Sequence, residues 1–197
     1  MNAKIRQDLF GKAELGLLYS GTIGKAHQFE EFVLLARELR RRDASVAFCF
    51  AGRGNCLQEL HEMVTADDSN ITFAGFIDEK ILPLRLSAAD IHLISLRQGW
   101  EGIVVPSKFF GSLAAGRPLL YCGTQDSCIA KWINDENLGF IVTMNTIHGI
   151  ADKLETVCQN KKLLQKMQEH AFSFYQQHFS KKMQWEKWDK SLREFIT

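Results

Sequence analysis

The chain has 197 residues, enough for one fully cored domain and slightly short for two. Apolar residues make up 46% and charged residues 24%, the balance of a soluble globular protein, and 24 Lys and Arg against 23 Asp and Glu leave a net charge of +1, which argues against a general nucleic-acid binder. No apolar run reaches the roughly 18–20 residues of a membrane span. The opening residues lack a signal-peptide core, and three of the five scattered cysteines fall in apolar stretches and read as small buried side chains in a reducing, cytoplasmic compartment.

Residues 1–16 show no clean period and read as a lead-in or linker, with a single domain over 17–197. From there the chain alternates. Residues 17–21 form a short apolar run closing on glycine, a strand. Phe29, Phe32, Val33, Ala36 and Leu39 then repeat at helical spacing, with Glu30, Glu31 and Arg40 to Arg42 mostly off that face. Residues 46–51 predict a second strand, closed by Gly52-Arg53-Gly54, and 71–73 a third before Gly75. A helix marked by Leu57, Leu60 and Val64 lies between them. A helix over 79–89 leads to a fourth strand at 90–96 and then to a polar loop at 97–106. The helix at 107–115 ends at Gly116, a glycine in the usual place just past a helix end. Strands at 118–122 and 139–143 flank a helix near 127–134, and everything from about 147 reads helical, with Trp185, Trp188, Leu192 and Phe195 as a stripe suited to docking on a protein surface. Strand–helix alternation with short links predicts an α/β fold: a doubly wound, six-stranded parallel sheet, Rossmann-like, with a helical C-terminal tail.

In such a sheet ligands sit outside the carboxyl ends of the strands, at a topological switch point. The loops there fail the commonest motifs. The first reads Gly21-Thr22-Ile23-Gly24-Lys25-Ala26-His27, without the spacing of a dinucleotide fingerprint, and the second strand ends in Ala-Gly rather than an acidic residue, so NAD is disfavoured. Tyr19 stands where a Walker loop needs glycine. No Gly-x-Ser-x-Gly elbow, Cys-x-x-Cys or His-x-x-x-His pair occurs. Two helix starts remain as anion cradles. The Gly24-Lys25 turn running into a helix at His27 offers free N–H groups, a dipole and a cation; an ordinary glycine turn with a solvated lysine is the alternative. Pro106-Ser107-Lys108 opens the second, with Ser107 as N-cap and Lys108 in the first turn, where a cation opposes the dipole unless an anion binds. Upstream, Glu101 stands between glycines at the exit of the fourth strand, as a ligand contact or as a plain turn residue. The other histidines (61, 92, 148, 170 and 178) suit packing or solvated faces.

Six segments together resemble the donor-binding half of family-four retaining glycosyltransferases of the GT-B fold, over roughly residues 17–195. They are Tyr-Ser-Gly-Thr-Ile-Gly-Lys-Ala-His at 19–27, Phe-Ala-Gly-Arg-Gly at 50–54, Phe-Ala-Gly-Phe at 73–76, Ala-Ala-Asp-Ile-His-Leu at 88–93, Glu-Gly-Ile-Val-Val-Pro-Ser-Lys at 101–108 and Leu-Ala-Ala-Gly-Arg-Pro at 113–118. The match is strongest with members that build bacterial surface polysaccharides. The resemblance implies a nucleotide-diphospho-sugar as donor substrate, no metal or other cofactor, and retention at the anomeric carbon. It implies a diphosphate near Gly24, Lys25 and Lys108, with His27, Arg53 and Ser107 around it, a base against Phe76 and Ile77, and Glu101 on sugar hydroxyls, so that Glu101 and Lys108 carry the catalysis. The family's second glutamate, which holds the ribose, is missing: Gly111 and Phe109 stand at its two candidate places. The resemblance further implies a partner, an N-terminal acceptor domain for which this length has no room, so that the chain alone binds donor with little or no transfer; weak association of the full enzyme with the inner face of a membrane goes with it. Half of a nucleotide-sugar epimerase, and a non-catalytic nucleotide-binding or interaction module, are the other readings.

Overall fold

A computed structural model describes residues 2–196, apart from the side chains of Asn2, Phe195 and Ile196. Its elements are α1 (Asn2–Phe10), β1 (Leu15–Thr22), α2 (Glu30–Arg41), β2 (Val46–Arg53), α3 (Leu57–Met63), β3 (Ile71–Ala74), α4 (Leu82–Ala88), β4 (Ile91–Ser95), α5 (Lys108–Ala114), β5 (Leu119–Cys122), α6 (Cys128–Asp135), β6 (Gly139–Val142), α7 (Ile147–Gln159), α8 (Lys161–His178) and α9 (Lys181–Ile196). The six strands form one sheet in the order β3-β2-β1-β4-β5-β6, every neighbouring pair parallel. The expected α/β doubly wound architecture is present.

Side chains alternate across a strand, so both faces of this sheet need cover, and its strands are apolar at nearly every position. Leu15, Leu17 and Tyr19 of β1 and Val46, Phe48 and Phe50 of β2 point to one face, where Phe32, Leu35 and Leu39 of α2 and Ile150 and Leu154 of α7 cover them. On the other face Leu18, Ala47, Cys49 and Ala51 meet Leu9 and Phe10 of α1 and Ala88 at the end of α4. Ile94, Leu119 and Tyr121 of that face meet Phe109 and Leu113 of α5, Ile129 and Ile133 of α6 and Phe174 of α8. Cys49, Cys122 and Cys158 are buried as small core residues.

The lead-in expected over 1–16 is instead a docked helix followed by the start of β1. Arg6 fastens it: the guanidinium donates to the backbone oxygens of Ala88, Ala13 and Glu14 and lies 2.8 Å from the Asp90 carboxylate, which in turn accepts the Gly16 N–H at 2.7 Å. In a nine-residue helix, Ile5, Leu9 and Phe10 repeat too few times to register as a period. Strands β1 and β2 also run further than their apolar runs, pairing Gly21 with Gly52 and Thr22 with Arg53. Glycine permits this: a Cβ on Gly52 (φ 155°) would stand 1.8 Å from the Gly21 oxygen. The aromatic stripe on α9 is exposed, Trp185 at 77% and Trp188 at 67%, and finds no seat among the described residues; the side chain of Phe195 lies outside them.

Candidate functional site

The switch point lies between β1 and β4. The chain leaves β1 for α2 and β2 on one side and reaches β4 from β3 by way of α4 on the other. Where these strands end, a cavity of about 310 Å³ opens, walled by Ser20, Gly21 and Thr22 of β1, Leu86 of α4, and Lys108 and Gly111 of α5. His92, buried in β4, braces the wall: its Nε2 faces the Leu86 carbonyl at 2.9 Å and its Nδ1 the Ser112 hydroxyl at 2.8 Å. Burial pushes His92 down to about 4, so it packs as a neutral ring.

Lys108 starts on α5 and ends against the loop after β1. Its Cε passes over Gly21, where a Cβ would meet it at 2.5 Å, and the left-handed φ of Gly21 (141°) equally requires glycine. Its Nζ stands 4.8 Å from the centre of the Tyr19 ring and 3.4 Å from Nε2 of His27. Desolvation lowers the ammonium to about 8. No carboxylate pairs with it among the described residues.

Six of the remaining expected residues fall into three groups. Glu101 sits in the 97–106 loop, where its Oε1 accepts from the Thr124 hydroxyl at 2.8 Å and its Oε2 from the Gly99 N–H at 2.7 Å. Those hydrogen bonds, the threonine's first, hold its carboxyl below the usual range and therefore ionised. Arg53, last residue of β2, lays its guanidinium 4.3 Å from the centre of the Phe76 ring, forming an open cation–aromatic shelf beside the half-buried Ile77. Phe76 is 63% exposed. Gly24 and Lys25 lie in a turn tied to that second loop, Ile23 N–H donating to the Arg53 carbonyl and Cys56 N–H to the Ile23 carbonyl. Lys25 points into solvent.

Three expectations change. The Gly24-Lys25 turn is not a helix start: it closes on itself through His27 N–H to Gly24 carbonyl, and α2 begins at Glu30, where Glu30 and Glu31 already complement the dipole. Ser107 does not cap α5. Its backbone is already helical (φ −56°, ψ −23°) and its side chain bonds no backbone N–H, because the turn begins one residue earlier at Pro106. His27 is buried beside Lys108 and does not line the switch-point cavity. Gly111 does line the cavity, and a Cβ there would meet open space. Thr124 and Tyr19 were not foreseen. A threonine 23 residues from its glutamate leaves no local pattern, and Tyr19 reads as one more apolar strand residue.

Residues 14–160 match the family described as Glycosyl transferases group 1. The chain belongs to that family. Among curated relatives, this glycosyltransferase domain is 25% identical over 142 residues to the probable glycosyltransferase WbjE of Pseudomonas aeruginosa, covering 72% of this chain and 35% of that one. It spans between 24% and 39% of the length of the curated relatives it matches. Among solved structures, the C-terminal domain of a group 1 glycosyl transferase (LpcC) from Francisella tularensis superposes with a TM-score of 0.66 at 20% identity, covering 89% of this chain and 93% of that domain. Anabaena Alr3699/HepE, solved in complex with UDP-glucose, gives 0.72 at 16% identity over 98% of this chain and 52% of its own. The fold is that of the LpcC C-terminal domain.

Proposed function

We propose that the domain binds a nucleotide-diphospho-sugar and forms the donor half of a retaining glycosyltransferase of bacterial glycan assembly. The observation that carries the reading is Lys108, a desolvated cation with no carboxylate partner among the described residues, at the wall of the switch-point cavity. Breaking a sugar–diphosphate bond leaves growing negative charge on the phosphate, and a preplaced cation in a partly dry site stabilises that charge more than water does. In this reading Lys108 supplies this role, and no metal is invoked. Glu101, ionised and held at both oxygens, retains lone pairs for sugar hydroxyls but is no proton donor. The Arg53–Phe76 shelf suits a nucleobase, because every base offers a π-face. Lys25, exposed on the adjoining turn, adds a second positive charge toward the diphosphate.

Transfer requires an acceptor-binding half, and the unpartnered Trp185 and Trp188 face of α9 suits packing against it. Five unpaired cysteines fit a cytoplasmic enzyme, working at the inner face of a membrane; no described helix is long and apolar enough to cross one. Gly111 favours a second reading, a nucleotide-binding module without chemistry, since the cavity wall carries no carboxylate for a ribose diol. Calorimetry tests binding directly. Uridine or guanosine diphosphate should give a saturable heat, and Lys108→Ala should weaken it at least about tenfold with unchanged or higher thermal stability. No heat from either nucleotide at millimolar concentration rejects both readings.

A further inference from the structure

His27 is 8% exposed, its ring edge-on to Tyr19 at 5.7 Å between centroids and tilted against Phe29 at 6.3 Å. Its Nδ1 lies 2.8 Å from the Ser95 carbonyl oxygen. A carbonyl only accepts, so Nδ1 bears the proton, and a neutral imidazole has no second one. Nε2 therefore presents a lone pair, and what stands before it is the Lys108 ammonium at 3.4 Å. Burial first, and the Lys108 cation second, keep His27 from protonating. Among the described residues, the other ionisable groups about the ring are Tyr19 of β1, Arg97 of the 97–106 loop, whose guanidinium donates to the His27 carbonyl, and Glu30, Glu31, Cys56 and Glu59, which border the cleft on its far side.

We propose that His27 is the positioning residue for Lys108: a neutral imidazole, locked in one tautomer by the Ser95 carbonyl, accepts one ammonium proton and so aims the other two at the donor's diphosphate. The proposal rests on the reading of the cavity as a diphosphate site. His27 then touches no ligand. Three features converge on it: the glycine that lets the lysine stem cross β1, the carbonyl that fixes the tautomer, and the absence of a competing carboxylate at Nζ among the described residues.

The test compares the wild-type chain with His27→Leu and His27→Gln, titrating uridine diphosphate across the pH range that brackets the lysine. Leucine removes the acceptor, so affinity should fall roughly tenfold. The alkaline loss of binding should also begin about one pH unit lower. Glutamine, whose amide donates on one side and accepts on the other, should restore most of both. Loss of packing alone would lower the melting temperature without moving the pH midpoint. Binding by the leucine variant with wild-type affinity and midpoint, or tighter, overturns the proposal. Nitrogen NMR of the unmutated protein decides the case even if a variant fails to fold. The His27 ring should show a protonated Nδ1 and a bare Nε2 whose resonance moves in Lys108→Ala; an imidazolium, or a proton on Nε2, overturns it. A wild-type chain that binds no nucleotide rejects the proposed function instead, and the ring measurement still stands by itself.

Discussion

Lys108 is held in a surrounding that favours its neutral form, and this has opposite consequences for binding and for stability. An unfolded lysine titrates near 10.4, whereas here burial brings it to about 8. Between those values the unfolded chain holds the proton and the folded chain has lost it, so this residue adds stability as pH rises through that window. An anion needs the cation, so nucleotide affinity should fall over the same interval. Paired melting and titration curves that run in the same direction above pH 8 would contradict this. Lys108 and Glu101 stood out in the sequence as candidates, because a cation in a first turn and a carboxylate between glycines are local anomalies. The true place of His27 was not legible, since its neighbours Tyr19, Ser95 and Lys108 come from three separate stretches of chain.

Strand–helix alternation was readable throughout because the strands are apolar at most positions, buried in β2, β4 and β5 and half-buried along the edge strands β3 and β6. Helix ends were less readable. A glycine and a lysine before α2 resemble a helix start, yet the turn at 24–27 is separate and the first-turn glutamates come three residues later. Helix α2 is anchored at mid-length by Arg37, which donates through Nε and Nη2 to Asp68 at 2.9 and 2.8 Å and through Nη2 to the Met63 carbonyl. The arginine's hydrogen bonds hold Asp68 down to about 2. A carboxyl lowered in this way stabilises the fold above its unfolded value near 4, and that contribution disappears as pH falls through 2. Asp68→Asn should therefore cost about 1–2 kcal/mol at neutral pH, discounted because Arg37 is 38% exposed, and should flatten the acid side of the stability curve. An unchanged acid limb would place the anchor elsewhere.

At the scale of the molecule, strand order was the least accessible feature. Nothing in a single strand's sequence states its neighbours, and the placement of β4 beside β1 comes from packing that no local pattern records. The docking of α1 was hidden for the same reason: its fastening residue pairs with Asp90, more than eighty positions away. Arg6→Ala should lower stability by about 1–2 kcal/mol and loosen residues 2–10, read by hydrogen exchange at α1 against the sheet core; full protection of α1 in that variant would show that Phe10 packing on Gly16 suffices. The path of Lys108 has a consequence of its own. Its backbone belongs to the layer of α5 and its ammonium rests against Tyr19 of β1 and His27 of the turn leading to α2, so the charge is delivered only when α5 and that turn are both seated on the sheet. Ligand occupancy then becomes a gauge of correct assembly. A half-formed chain has no cation in place, and nucleotide present at a hundred times its dissociation constant would favour the completed fold by about 2.7 kcal/mol.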